Sequence, residues 1–177
     1  MKKRPKYRLL IQQDRGPVID TYESFGVVCQ EFPFKYLPES KELPKRDWYD
    51  EDGEDVYVPK DGLRLAAYDL EVKFLYVGTE TNMTANIKDF IDFICGRINY
   101  VKDDKGNVVK VTTNVKKDVM LAVYDEYTKT GKSGVYMREI TSNLFDISDI
   151  DPDAIAIFSA RFRVTDPISD IVLNKER

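Results

Sequence analysis

The chain has 177 residues, of which 42% are apolar and 33% charged. That is one domain's length, enough to bury roughly 70% of the unfolded surface, and it is too apolar for disorder and too charged for a helical membrane protein. The 27 basic and 31 acidic residues leave a net charge of -4 and a pI near 5.1, which gives no global attraction to nucleic acid or anionic lipid.

The first six residues are basic, like the start of a secretion signal, but only Leu9, Leu10 and Ile11 follow as a continuous apolar run. A signal needs about seven or more and a membrane helix about 20, so neither is expected. Residues 7–13 alternate, with Tyr7, Leu9 and Ile11 on one face against Arg8 and Gln12, and predict a strand. Asp14-Arg15-Gly16-Pro17 predicts a turn, and residues 25–32 a more buried strand carrying Cys29.

Residues 33–62 differ from the rest. They hold four prolines (Pro33, Pro38, Pro44, Pro59) and an acidic cluster, Asp47, Asp50, Glu51, Asp52, Glu54 and Asp55, around Trp48 and Tyr49. So long a stretch without periodicity is unusual inside a compact domain. Disordered linkers are poor in aromatic residues, whereas this one carries Phe34, Tyr36, Trp48, Tyr49 and Tyr57. It reads as an ordered arm laid on its own subunit or on a neighbour.

Residues 63–77 predict a long strand. Tyr68, Leu70, Val72, Phe74 and Tyr76 share one face, and the opposite parity of Leu63, Leu65 and Ala67 predicts a bulge near Ala66. Ile87, Phe90, Ile91 and Ile94 then follow helical spacing, with Thr84 as the expected cap and Gly96 as the stop. Residues 98–102 and 108–112 predict a hairpin closed by residues 103–107, either an interaction finger or a plain sheet edge. Residues 119–124 predict a central strand, 128–134 a turn, and 135–140 a strand. Residues 143–153 are acidic and irregular. A last strand over 155–164 turns Phe158, Ala160, Phe162 and Val164 inward, before Asp166-Pro167 breaks it and residues 168–173 form a short apolar tail.

The expected fold is a β-dominated α+β domain spanning residues 1–177, a β-sandwich or split β-barrel with one packed α-helix and the long extended arm at 33–62.

The chain contains no histidine. That removes Ser-His-Asp and Cys-His catalysis, histidine acid–base work and every histidine-containing zinc site. Two cysteines, Cys29 and Cys95, are too few for an all-cysteine zinc site in one chain and read as small apolar side chains in a reducing compartment. Placing Gly53 at the sixth position of a calcium loop puts Trp48 at the first and Pro59 at the twelfth, where carboxylates are needed, so the acidic cluster is not an EF-hand. Gly131-Lys132-Ser133 lacks the glycine cradle of a phosphate loop. No catalytic residue, metal site or cofactor is expected.

The stretch FPFKYLPESKELPKRDWYDEDGEDVYVP, the strand LRLAAYDLEVKFLYVG, the helix TNMTANIKDFIDFICGR and the closing FSARFRVTDPISDIVL together resemble small tail proteins of tailed bacteriophages and prophages, of distal-tail, baseplate-hub or tail-tube type. The resemblance implies a ring subunit assembled in the host cytoplasm into the virion tail. Its partners would be copies of itself, as a hexamer or trimer, and adjacent tail proteins. It would have no membrane contact and no catalysis, and DNA would be only passing cargo. For such a subunit the interface residues expected from the arm's own composition are Phe34, Tyr36, Trp48 and Tyr49, with Asp50 and Asp52 as charged contacts. A tail-tube or tail-terminator subunit is the neighbouring reading. A carbohydrate-binding β-sandwich using Trp48, and a carboxylate enzyme using a divalent ion, are the alternatives of other classes.

Overall fold

The computed structural model describes residues 8–14, 16–50, 52–113, 119–146 and 155–171, without the side chain of Glu31. Tyr7, Arg15 of the expected turn, Glu51 of the acidic cluster, residues 147–153 of the acidic segment, and Val172 and Leu173 of the tail lie outside that set.

The chain begins with strands β1 (Leu9–Gln13) and β2 (Val18–Asp20), a short helix α1 (Thr21–Phe25) and strand β3 (Val27–Glu31). The arm follows, with two-residue strands β4 (Lys45–Arg46) and β5 (Asp55–Val56). Then come β6 (Tyr68–Tyr76), a 3-10 turn at Glu80–Asn82, helix α2 (Met83–Ile94), and the hairpin strands β7 (Ile98–Lys102) and β8 (Val108–Thr112). Strands β9 (Leu121–Asp125), β10 (Thr130–Ile140) and β11 (Ala156–Val164) complete the fold.

Seven strands form one antiparallel sheet in the order β2-β1-β9-β10-β11-β6-β3. Its two edge strands are sequence neighbours, joined by α1 and Gly26 alone. Laid flat, six strand spacings would span about 29 Å, whereas a five-residue helix advances only about 7.5 Å. The short connection therefore requires the sheet to curl until its edges approach. The result is a half-barrel whose open seam is crossed by α1, and of the two expected β architectures it has the form of the split barrel.

The α1 bridge is specified locally. The Asp20 carboxylate accepts hydrogen bonds from the Tyr22 and Glu23 amides, and Gly26 ends the helix at φ +66°, where a side chain would be strained. α2 supplies the packed helix of the expected fold. Ile87, Phe90, Phe93 and Ile94 enter the half-barrel, while Ile91 is only partly covered. The rings of Phe25, Phe74, Phe90 and Phe158 meet at centroid distances of 5.1–6.0 Å, within the range at which aromatic pairs attract. Gln13, itself buried, donates its side-chain amide to the carbonyl oxygens of Phe93 and Ile98 and ties β1 to the end of α2.

Several expected boundaries move. Residues 63–67 are not strand: only Leu65 bridges, to Ser40, so the parity change marks the start of β6 and not a bulge. The register shift in this region falls on the neighbouring strand, between Cys29 and Glu31. Phe25 closes α1 instead of opening a strand. Thr84 lies inside α2, whose preceding residue, Asn82, makes no side-chain cap bond. Residues 128–134 are not all turn. β10 starts at Thr130 and absorbs Gly131 to Gly134 through a register shift between Lys132 and Val135, with Gly134 at φ +67°.

The outer face of the sheet carries a charge ladder. Arg138 and Arg163 both reach Asp69, at 2.8 and 3.0 Å, and Arg161 reaches Glu139 at 2.5 Å. Partial burial pushes the Asp69 carboxyl up, but the two guanidinium groups outweigh it and hold the carboxyl below the ordinary value. A depressed folded-state value contributes stability that is present above the unfolded pKa, near 4, and is lost as pH falls through the folded one. Wild type should therefore exceed Asp69→Asn in stability by about 0.5–1 kcal/mol at pH 5–7, and the gap should close as pH drops below about 4. Urea titrations of both proteins from pH 7 to 3 measure it; a gap that widens in acid would refute this account of Asp69.

Candidate subunit interface

The arm is rooted in the half-barrel and free at its tip. At the root, the Phe34 ring packs on Phe32 at 4.7 Å and is half-buried. The Lys35 amide donates to the Tyr68 hydroxyl, and Lys41 and Ala66 donate their amides to Arg64 and Glu39 carbonyls. At the tip, β4 and β5 pair Lys45 with Val56 and Arg46 with Asp55, and the Lys45 ammonium sits 3.0 Å from Glu54. The Arg46 guanidinium lies over the Trp48 ring at 4.6 Å, a contact that orders both side chains.

The expected interface residues fall into two groups. Phe34 belongs to the root. Trp48, Tyr49, Asp50 and Asp52 share the tip, all exposed, and Tyr36 lies in the root segment between Lys35 and Glu39 with its ring in solvent. Tyr36 and Tyr49 are as exposed as free residues, at 102% and 101%. Among the described residues no group of three or more Cys, Asp or Glu could hold a metal.

The exposed large apolar side chains are not scattered. Of the sixteen among the described residues, seven lie in residues 33–62 and four, Val101, Val108, Val109 and Val111, lie in the β7–β8 hairpin. Single exposed apolar residues are normal, but contiguous ones mark contact surfaces. Charge is concentrated in the same way. Residues 33–62 hold nine acids and five bases, so this segment alone carries the net charge of -4 and the remainder of the chain is neutral.

The hairpin is the second exposed feature, and sequence reasoning left its role open. It forms its own two-stranded sheet, with Ile98 opposite Thr112 and Val101 opposite Val109. One face, through Ile98 and Tyr100, packs on the core, and Lys110 reaches Asp89 of α2 at 2.5 Å. The other face carries Asn99, Val101, Val109 and Val111. The loop is well specified: the Asp103 carboxylate accepts the Asn107 and Lys105 amides, and these hydrogen bonds, Asn107's first, hold it below the ordinary carboxylate value. The sequence signal for this surface was the valine run Val108-Val109 with Val111, which alternation alone would have sorted into one inward and one outward face.

A half-barrel sheet with one packed helix and a rooted arm defines the class of fold. Among solved structures, the crystal structure of SPP1 Dit (gp 19.1), described as a paradigm of the hub adsorption apparatus in phages infecting Gram-positive bacteria, is similar to it with a TM-score of 0.51 and 17% sequence identity. The similarity covers 90% of this chain and 50% of that one, so this chain spans half the length of that protein. No protein-family model and no curated protein matches the chain. No described helix is long and apolar enough to cross a membrane.

Proposed function

We propose that this chain is a structural subunit of a bacteriophage tail, of distal-tail or baseplate-hub type, that acts through subunit contacts and performs no catalysis. The observation that carries the reading is the half-barrel fold shared with the SPP1 Dit hub protein over 90% of this chain. The surface supports it. An arm with a firm root and an uncovered aromatic tip is built to be completed by another chain. Copies joined by two different patches make heterologous contacts, which close into rings, here a hexamer or trimer. A ring subunit would work beside adjacent tail proteins in the virion tail, after assembly in the host cytoplasm, and an acidic chain would let DNA pass without ion pairs to phosphate.

A tail-tube or tail-terminator position is compatible with the same sheet.

The test uses the arm. A Tyr36→Ala/Tyr49→Ala variant removes two fully exposed rings, so its thermal midpoint should match wild type, since such surface changes fall within about 0.5 kcal/mol. Its assembly, followed by sedimentation across a concentration series, should weaken by ~10-fold or more. Unchanged assembly would remove the arm from the interface.

A further inference from the structure

We propose that the 131–134 edge of β10 is a strand-acceptor site, closed in cis by residues 165–171 as a releasable strap. Once the strap lifts, the site takes an extended segment of a partner protein. The inference stands apart from the ring reading, because it uses neither the arm nor the hairpin.

The site follows from unequal strand lengths. β11 meets β10 only from Val135 onward, so among the described residues the start of β10 has β9 on one side and no sheet strand on the other. An open edge of this kind pairs with an extended chain that reaches it. Here that chain is the one leaving β11. The Thr165 amide donates to the Gly134 carbonyl at 3.0 Å, the Ile171 amide donates to the Gly131 carbonyl at 2.9 Å, and Asp170 bridges antiparallel to Lys132. Between these points Asp166 caps a turn through Pro167 by accepting the Ile168 and Ser169 amides.

The floor is shaped for a backbone. A side-chain carbon on Gly131 would lie 2.6 Å from the Ile171 carbonyl oxygen and 2.9 Å from the Tyr124 ring, so only glycine lets the strap come this close. Beside it the buried Lys132 ammonium donates to the Pro167 and Ile168 carbonyls, which are main-chain groups that any peptide carries. The strap's side chains add the Asp170 carboxylate, 2.6 Å from the ammonium, and Ile171 over Gly131. The occupant that fits is an extended segment with a carboxylate followed by a branched aliphatic residue.

The cover is weaker than the floor. Gly131 and Lys132 are buried, yet none of residues 165–171 is, and Ile168 and Asp170 are mostly exposed. A segment held by polar contacts with little apolar burial opens locally ahead of its sheet. Its tether keeps it at an effective concentration on the order of millimolar. A competing strand therefore enters when the strap is weakened or when assembly presents the competitor at a similar concentration.

The experiment weakens the strap and leaves the site intact. Asp166→Ala/Asp170→Ala/Ile171→Pro removes the turn cap, the carboxylate and the ladder amide without touching β10. Asp166→Ala/Ile171→Pro is the milder second variant. Circular dichroism establishes that both are folded, and NMR shifts of residues 165–171 show whether the strap has left. An end-capped fluorescent peptide of residues 165–171 then probes the site by anisotropy. It should bind the variants at least ~10-fold tighter than wild type, and a scrambled peptide should not. Adding Gly131→Ala to the triple variant should abolish binding by filling the floor. A strap that stays in place in both variants would overturn the inference. So would a released strap with no peptide binding, equal binding to wild type, equal binding of the scrambled peptide, or binding that survives Gly131→Ala. Ring assembly does not enter the readout, so failure here leaves the ring reading standing.

Discussion

Replacing Phe90 with alanine will cost the fold about 3–5 kcal/mol, the usual penalty for emptying a buried phenylalanine site. Phe90 is fully buried on α2 and its ring meets Phe25, Phe74 and Phe158 at 5.6, 5.1 and 6.0 Å. Those three rings come from α1, β6 and β11, so the side chain joins the seam of the half-barrel to two of its interior strands. The surrounding strands are tied by ladder hydrogen bonds and cannot collapse into the space. Domains are stable by only about 5–15 kcal/mol in total, so the variant should melt far below wild type. Phe90→Leu, which keeps most of the volume, should lose much less. Chemical denaturation of the three proteins measures the differences; an alanine variant within about 1 kcal/mol of wild type would contradict a core centred on this ring.

Lys132→Met will release the segment that follows β11. Lys132 is almost wholly buried, and its ammonium donates to the carbonyl oxygens of Pro167 and Ile168 at 2.9 and 3.3 Å and pairs with Asp170 at 2.6 Å. The same segment is held by a backbone bond from the Ile171 amide to the Gly131 carbonyl, and by the Asp166 carboxylate, which accepts the Ser169 and Ile168 amides. Methionine keeps the stem and removes the charge. Hydrogen bonds to a charged donor contribute about 1.5–3 kcal/mol, so a loss of about 2–3 kcal/mol is expected, with faster amide exchange at Ile171. Asp170→Asn should cost under about 1 kcal/mol, because that carboxylate is 67% exposed. Equal losses in both variants would show that the ion pair, and not the carbonyl clamp, holds the segment.

Alternation and helical spacing made much of this fold legible. β6 and β11 are paired over nine residues with the inward faces their sequences give, and the helix and the 98–112 hairpin fall where expected. The misses have physical causes. α1 is only five residues, too short to show periodicity, yet Asp20 with Glu23 three residues on and Gly26 beyond carried its start and stop signals. The run at 128–134 looked like a turn because glycine, serine and threonine dominate it. A glycine at positive φ within a strand instead allows a bulge, and the buried Lys132 is explicable only from the segment it clamps, 35 residues later. Residues 63–67 alternate like a strand but lie where the arm re-enters, so only Leu65 finds a ladder partner. For the candidate interface, the composition of residues 33–62 picked out the arm but could not separate Phe34 at the root from Tyr36 and Tyr49 in solvent. That distinction depends on Phe32, which alternation assigned only to a strand end.

The central claim is that this chain assembles with itself into rings. The most direct test is the mass of the purified protein across a concentration series, with electron-microscope images of the heaviest species. The account predicts a discrete closed species, a trimer or hexamer with a central opening, growing at the expense of monomer as concentration rises. A chain that stays monomeric at every concentration, with no ring in any field, would contradict it.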